Sequence, residues 1–69
     1  MKNYLKNKRM EKGLTQSQLA KIVGVGRVSI TRYETGKDIP PMRKAIKIAK
    51  VLGCTLDELF GVEEGEAEG

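Results

Sequence analysis

The 69-residue chain contains no histidine, one cysteine (Cys54) and three aromatic side chains, Tyr4, Tyr33 and Phe60. Each shortage closes a route. A single Cys can form no intrachain disulfide, and one Cys without His cannot build a zinc site. Cys54 therefore reads first as a small buried apolar side chain. With no imidazole, no base beside the thiol and no paired acids flanking a cleft, catalysis has no carriers, so no enzyme is expected. Three scattered aromatics do not make an exposed stacking platform for single-stranded RNA. The longest apolar runs fall far short of a membrane span, and Met1 to Glu11 is too polar for a secretion signal. The expectation is a soluble cytoplasmic protein with no metal, no cofactor, no membrane contact and no small-molecule ligand. A chain this short buries only roughly 60% of its extended surface, so it is one domain with an efficient core, and dimerisation would cover more apolar area.

What the chain has in excess is positive charge, unevenly placed. Residues 1 to 53 hold all thirteen Lys and Arg against three acids (Glu11, Glu34, Asp38), a balance of +10. Residues 54 to 69 hold six acids and no base, a balance of −6. A basic body is the electrostatic footprint of a nucleic-acid binder, because each neutralised phosphate releases condensed counterions. A solvated basic surface without a partner has the same composition, so charge alone does not decide.

Spacing and punctuation predict an all-α, compact five-helix domain over residues 1–60 and an acidic flexible tail over 61–69. The first helix runs from about Lys2 to Lys12 and stops at Gly13, with Leu5 and Arg9 on one face. Thr15 caps the second, which carries Leu19, Ala20 and Val23 and halts at Gly24. Gly26 opens the third, from Arg27 to about Glu34, and Thr35-Gly36 ends it. Lys37 to Pro41 is an extended loop, since Ile39 and Pro40 both precede prolines. Pro41 suits the first position of a fourth helix, whose stripe reads Met42, Ala45, Ile46, Ala49 and Leu52 opposite Arg43, Lys44, Lys47 and Lys50. Thr55 caps a short fifth helix bearing Leu56, Leu59 and Phe60. Beyond Gly61 only Val62 could anchor the tail.

The stretch Gln16 to Thr35, QSQLAKIVGVGRVSITRYET, carries the function. Two helices meeting steeply need a tight turn and a small residue at their approach, and Gly24 and Ala20 stand there. Leu19, Val23, Val25, Ile30 and Tyr33 supply the apolar contacts. Arg27, Val28, Thr31 and Arg32 are left facing outward on the third helix, able to reach base edges and phosphates.

This stretch resembles the helix-turn-helix of the phage-repressor family of bacterial regulators, the Cro and cI-like or XRE group. GLTQ before the second helix, YETGK after the third, IPP before the fourth and KIAKVLGCTLDELF at the end extend the likeness over roughly Leu5 to Phe60. The resemblance implies a lambda-repressor-like domain, usually homodimeric, whose third helix reads a palindromic operator in double-stranded DNA and regulates transcription, most often as a repressor. It implies that Gln16 clamps a phosphate and braces the third helix, that Arg27 and Val28 read bases with Arg32 one turn further on, and that Arg9 pairs with Glu34. The apolar faces around Arg9 and Glu34 agree, because an unpaired charge there would be costly. It also implies dimerisation through the last helices, here Leu56, Leu59, Phe60 and Cys54, which could equally complete the monomer core. Three positions depart from the family pattern. Gly26 replaces a Ser or Thr cap, Lys8 stands at an apolar position, and Pro41 replaces the cap of the fourth helix.

Arg27 and Arg32 each suit a base or a phosphate, arginine paired to guanine being the commonest specific contact, and Val28 can pack on a thymine methyl. Thr31 either contacts a phosphate or faces solvent. Gln16, Thr15, Ser17, Thr35 and Lys37 suit backbone positioning, with Gly26 allowing close approach to a phosphate. The rival is an interaction module of the same fold, an antitoxin or anti-repressor that works through a partner protein.

Overall fold

Local chemistry sets where each helix begins and ends. A computed structural model describes residues 3–61, and within them five helices follow one another with no strand. They are α1 (Leu5–Glu11), α2 (Gln16–Val23), α3 (Arg27–Glu34), α4 (Met42–Leu52) and α5 (Leu56–Phe60). The all-α class and the five-helix order predicted from the sequence are those observed. The expectations for Lys2, Val62 and the acidic tail lie outside the described residues.

α2 and α5 begin alike. The Thr15 and Thr55 hydroxyls accept the backbone N–H of Gln18 and Glu58, whose side chains accept the N–H of the capping threonines in return. Two orphan donors are satisfied at each start. The Thr55 N–H holds the Glu58 carboxyl below its ordinary pKa. The cap on α5 is therefore fully present above the usual carboxylate range and is lost as acid protonates Glu58.

The turn between α2 and α3 is set by Gly24, which adopts φ 86° and ψ 38°. Its N–H and that of Val25 both return to the Ala20 carbonyl, at 2.8 and 2.9 Å. Lys44 of α4 reaches back so that its ammonium lies 3.4 Å from the carbonyls of both Val23 and Gly24. A lysine assigned by pattern to a polar face thus braces the turn.

Leu5, Leu19, Val23, Ile30, Ile48 and Leu59 are wholly buried and draw on all five helices. Ala20, Tyr33, Ala49 and Leu52 complete the core. α2 packs on α3 and α4, α1 on α3 and α5, and α4 on α5. The third helix is therefore held from behind by two others and keeps one face free.

Three sequence expectations change. α1 starts at Leu5 rather than near Lys2, because the Asn3 carboxamide accepts the Leu5 N–H at 3.1 Å and donates to the Tyr33 carbonyl at 2.8 Å. The Tyr4 N–H meanwhile bonds the Leu59 carbonyl at 2.7 Å, tying the chain start to α5. On α4 the buried row is Ala45, Ile48, Ala49 and Leu52, the i, i+3, i+4, i+7 set. Met42 is 65% exposed and Ile46 is also exposed, so the predicted stripe was rotated. Pro41 precedes α4 with ψ 152° instead of opening it. Lys8 is half-buried, its ammonium 4.0 Å from the Glu11 carboxylate one turn on.

Gly24→Ala is expected to cost about 1 kcal/mol, since a Cβ at positive φ is strained. Gly26→Ser should instead stabilise by roughly a few tenths of a kcal/mol, because Gly26 holds extended angles in open space and offers α3 no side-chain cap. Urea unfolding of both variants checks the contrast; equal effects would refute it.

Candidate nucleic-acid interface

α3 divides cleanly. Ile30 and Tyr33 point into the core, whereas Arg27, Val28 and Arg32 are exposed. Val28 is 65% exposed, an apolar side chain with little packing to account for it. Arg27 and Thr31 lie one turn apart, as do Val28 and Arg32, so the four form two adjacent rows on one face. Thr15, Ser17, Gly26 and Lys37 are exposed at the start of α2, before α3 and after it.

Behind this face runs a chain of polar contacts from the core to the surface. Arg9 Nε lies 2.5 Å from Glu34 Oε2, with the two side chains only 10% and 4% exposed. Arg9 Nη1 also donates to the Leu14 carbonyl at 2.6 Å. Glu34 Oε1 accepts from Gln16 Nε2 at 2.9 Å, and Gln16 Oε1 accepts from the Thr31 hydroxyl at 3.1 Å. Four side chains on three helices are thereby locked together. Thr31 neither stands free in solvent nor holds a hydroxyl proton in reserve. Thr35 likewise donates to the Thr31 and Arg32 carbonyls, closing the end of its own helix.

Arg32 has a partner that the sequence reading gave no role. Its Nε donates to Asp38 Oδ2 at 2.6 Å. Asn3, Gln18, Lys44 and Ile48 were also missed. Ile48 was legible as i+3 from Ala45, and Gln18 as the third residue after a threonine cap. Asn3, Lys44 and Asp38 act over contacts that only folding creates.

Residues 5–59 match the helix-turn-helix family of DNA-binding regulators. The chain belongs to this family. An uncharacterized HTH-type transcriptional regulator of Methanocaldococcus jannaschii is 44% identical over 66 residues, covering 96% of this chain and all of the relative. The cryptic phage CTXphi transcriptional repressor RstR of Vibrio cholerae is 38% identical over 61 residues, 88% of this chain and 54% of the repressor. Among solved structures, the phage P22 c2 repressor bound to a synthetic operator aligns with a TM-score of 0.77 and 28% identity, covering 81% of this chain and 85% of the repressor. The family is one of DNA-binding transcriptional regulators and not of enzymes, and two of these three relatives are repressors. Among the described residues, no cluster of potential metal ligands is present and no helix is long and apolar enough to cross a membrane.

One proposed interface residue has to be withdrawn. Leu59 is completely buried within its own protomer and cannot contact a second copy. Cys54 packs partly against the same core, and burial pushes its thiol pKa up, with Glu58 adding to the rise. Leu56 and Phe60 keep some exposure. With Ile39, Pro40, Met42, Ala45 and Asp57 they line a groove of about 280 Å³.

Arg9→Met should destabilise the domain by about 3 kcal/mol, because Glu34 is left buried without its cation. Arg9→Met combined with Glu34→Leu should recover most of that loss. Thermal melts of both variants provide the check, and an unchanged melt for Arg9→Met would count against the pair.

Proposed function

We propose that this protein is a sequence-specific transcriptional regulator, acting chiefly as a repressor, that lays α3 in the major groove of double-stranded DNA. The observation that carries the reading is the exposed α3 face, where Arg27, Val28 and Arg32 stand together with no core role. Arg27 and Arg32 suit guanine edges and Val28 a thymine methyl. Gln16 keeps one amide proton beyond its bond to Glu34, which with its own backbone N–H suits a phosphate. Thr15 and Ser17 flank Gln16 in the chain, Lys37 adds a cation just after α3, and Gly26 lets the backbone come close. The P22 c2 repressor, whose fold this chain shares, is seen with its operator, which supports the DNA reading. A protein of this kind works where DNA is, in the cytoplasm.

One domain reaches few bases, so two copies on half-sites about 34 Å apart would couple their contacts and read a palindrome. The groove between the α3–α4 loop and α5 suits that second copy. Its rim carries Ile39 and Met42, 70% and 65% exposed, beside the half-covered Leu56 and Phe60. Large apolar groups grouped in this way are the mark of an interaction surface.

Selection from a random duplex library should return inverted half-sites one helical turn apart. On the selected operator, Arg27→Ala is expected to lower the preference over random duplex by roughly tenfold, whereas Lys37→Ala weakens both alike. The absence of any salt-dependent duplex binding would turn the reading to a protein-interaction module. Met42→Glu should yield a monomer in sedimentation and a large loss of operator affinity; a dimer unchanged by that substitution would move the interface elsewhere.

A further inference from the structure

Asp38 sets an acidic group beside the recognition face of an otherwise strongly basic body. Such a group repels the phosphates that the body attracts, so its presence calls for a reason. The turn after α3 puts it there. Gly36 adopts φ 77°, and the N–H groups of Lys37 and Asp38 then both return to the Arg32 carbonyl, at 2.9 and 3.2 Å. The same arginine is gripped a second time through its side chain, Nε donating to Asp38 Oδ2 at 2.6 Å. One residue is thus held by Asp38 at both its backbone and its guanidinium.

The way it is gripped matters. A guanidinium carries five N–H donors in a rigid fork. Asp38 takes the Nε edge, and among the described residues neither terminal nitrogen of Arg32 has a partner. The two terminal nitrogens form the end of the fork, which can meet the O6 and N7 of a guanine together. A long side chain also loses rotamer freedom when it binds, and a group already held in place loses less.

We propose that Asp38 is a specificity-determining positioning residue, which presents the terminal nitrogens of Arg32 to a base edge and keeps the guanidinium from settling on phosphates. The proposal rests on the DNA-binding reading given above. The carboxylate offsets the charge that would otherwise add to sequence-independent binding, while the oriented fork retains its hydrogen bonds to the correct base. The Arg32 hydrogen bond holds the Asp38 carboxyl below its usual pKa range, so the clamp stays charged at neutral pH. Both side chains are about half exposed, at 47% and 50%, and an ion pair in that setting contributes little to folding. Variants of Asp38 therefore keep the fold, and the effect is read in binding.

The test uses the full chain, its selected operator and a random duplex of equal length, with anisotropy titrations at several salt concentrations. Four proteins are compared: the parent, Asp38→Asn, Arg32→Ala and the double variant. Asp38→Asn is expected to tighten binding to random duplex and to steepen its salt slope by about 0.9, the value of one added phosphate contact. Its operator-to-random ratio should fall about tenfold. In the Arg32→Ala background the same substitution should leave that ratio unchanged, because the coupling runs through Arg32. A ratio unaffected by Asp38→Asn, or shifted equally with and without Arg32, overturns the proposal while leaving the DNA reading intact. A parent chain that fails to distinguish any duplex overturns both.

Discussion

The ion pair between Arg9 and Glu34 is the constraint around which this small domain is arranged. Two charges taken out of water cost several kcal/mol each unless their remaining hydrogen-bonding groups are also met. Here they are met. Arg9 serves Glu34 and the Leu14 carbonyl, Glu34 serves Arg9 and Gln16, and Gln16 serves Thr31. Among the described residues no buried side-chain polar atom is left without a partner. A network satisfied in this way gives direction as well as cohesion. It fixes how α3 is rotated about its own axis, because Glu34 and Thr31 can reach their partners in only one orientation of that helix.

That rotation is what makes the outer face usable. Ile30 and Tyr33 give α3 its hydrophobic anchorage, but apolar contacts are not directional and tolerate some rolling. Hydrogen bonds from Arg9 and Gln16 are directional. The division of labour follows: burial holds the helix to the domain, the polar network sets its angle, and Arg27, Val28 and Arg32 are left where the angle puts them. Gly24 belongs to the same scheme, since the tight return to the Ala20 carbonyl sets how α3 leaves α2.

How far all this could be read beforehand depended on distance along the chain. Helix ends were legible because a threonine cap or a glycine stop acts within a few residues, as at Thr15, Gly24 and Thr55. The core rows of α2 and α3 were legible because their periodicity is local and each had a clear polar face. α4 misled because apolar side chains at Met42 and Ile46 lie beside the true row, and only the packing of α2 and α5 decides which row goes inward. The contact face could be proposed because Ile30 and Tyr33, with the apolar groups of α2, claim the inner side of α3 and leave Arg27, Val28 and Arg32 on the other; the Arg9–Glu34 pair came from the family resemblance. Asn3 reaching Tyr33, and Lys44 reaching the turn at Gly24, span 30 and about 20 residues, beyond what any local pattern contains. Asp38 was hidden differently. Six residues from Arg32 it is close in sequence, but it meets the guanidinium only because Gly36 turns the chain back.

The balance of charge across the molecule gives these details a common sense. A balance of +10 over residues 1 to 53 supplies long-range attraction to any duplex, and attraction of that kind has no sequence preference. More of it raises the background along with the signal. Specificity has to come from groups whose hydrogen bonds are lost on the wrong base, and those groups work best when they arrive already oriented. The buried network does this for the helix as a whole, and the turn after α3 does it for one arginine. A domain with so few residues to present has more to gain from holding each of them still than from adding further positive charge.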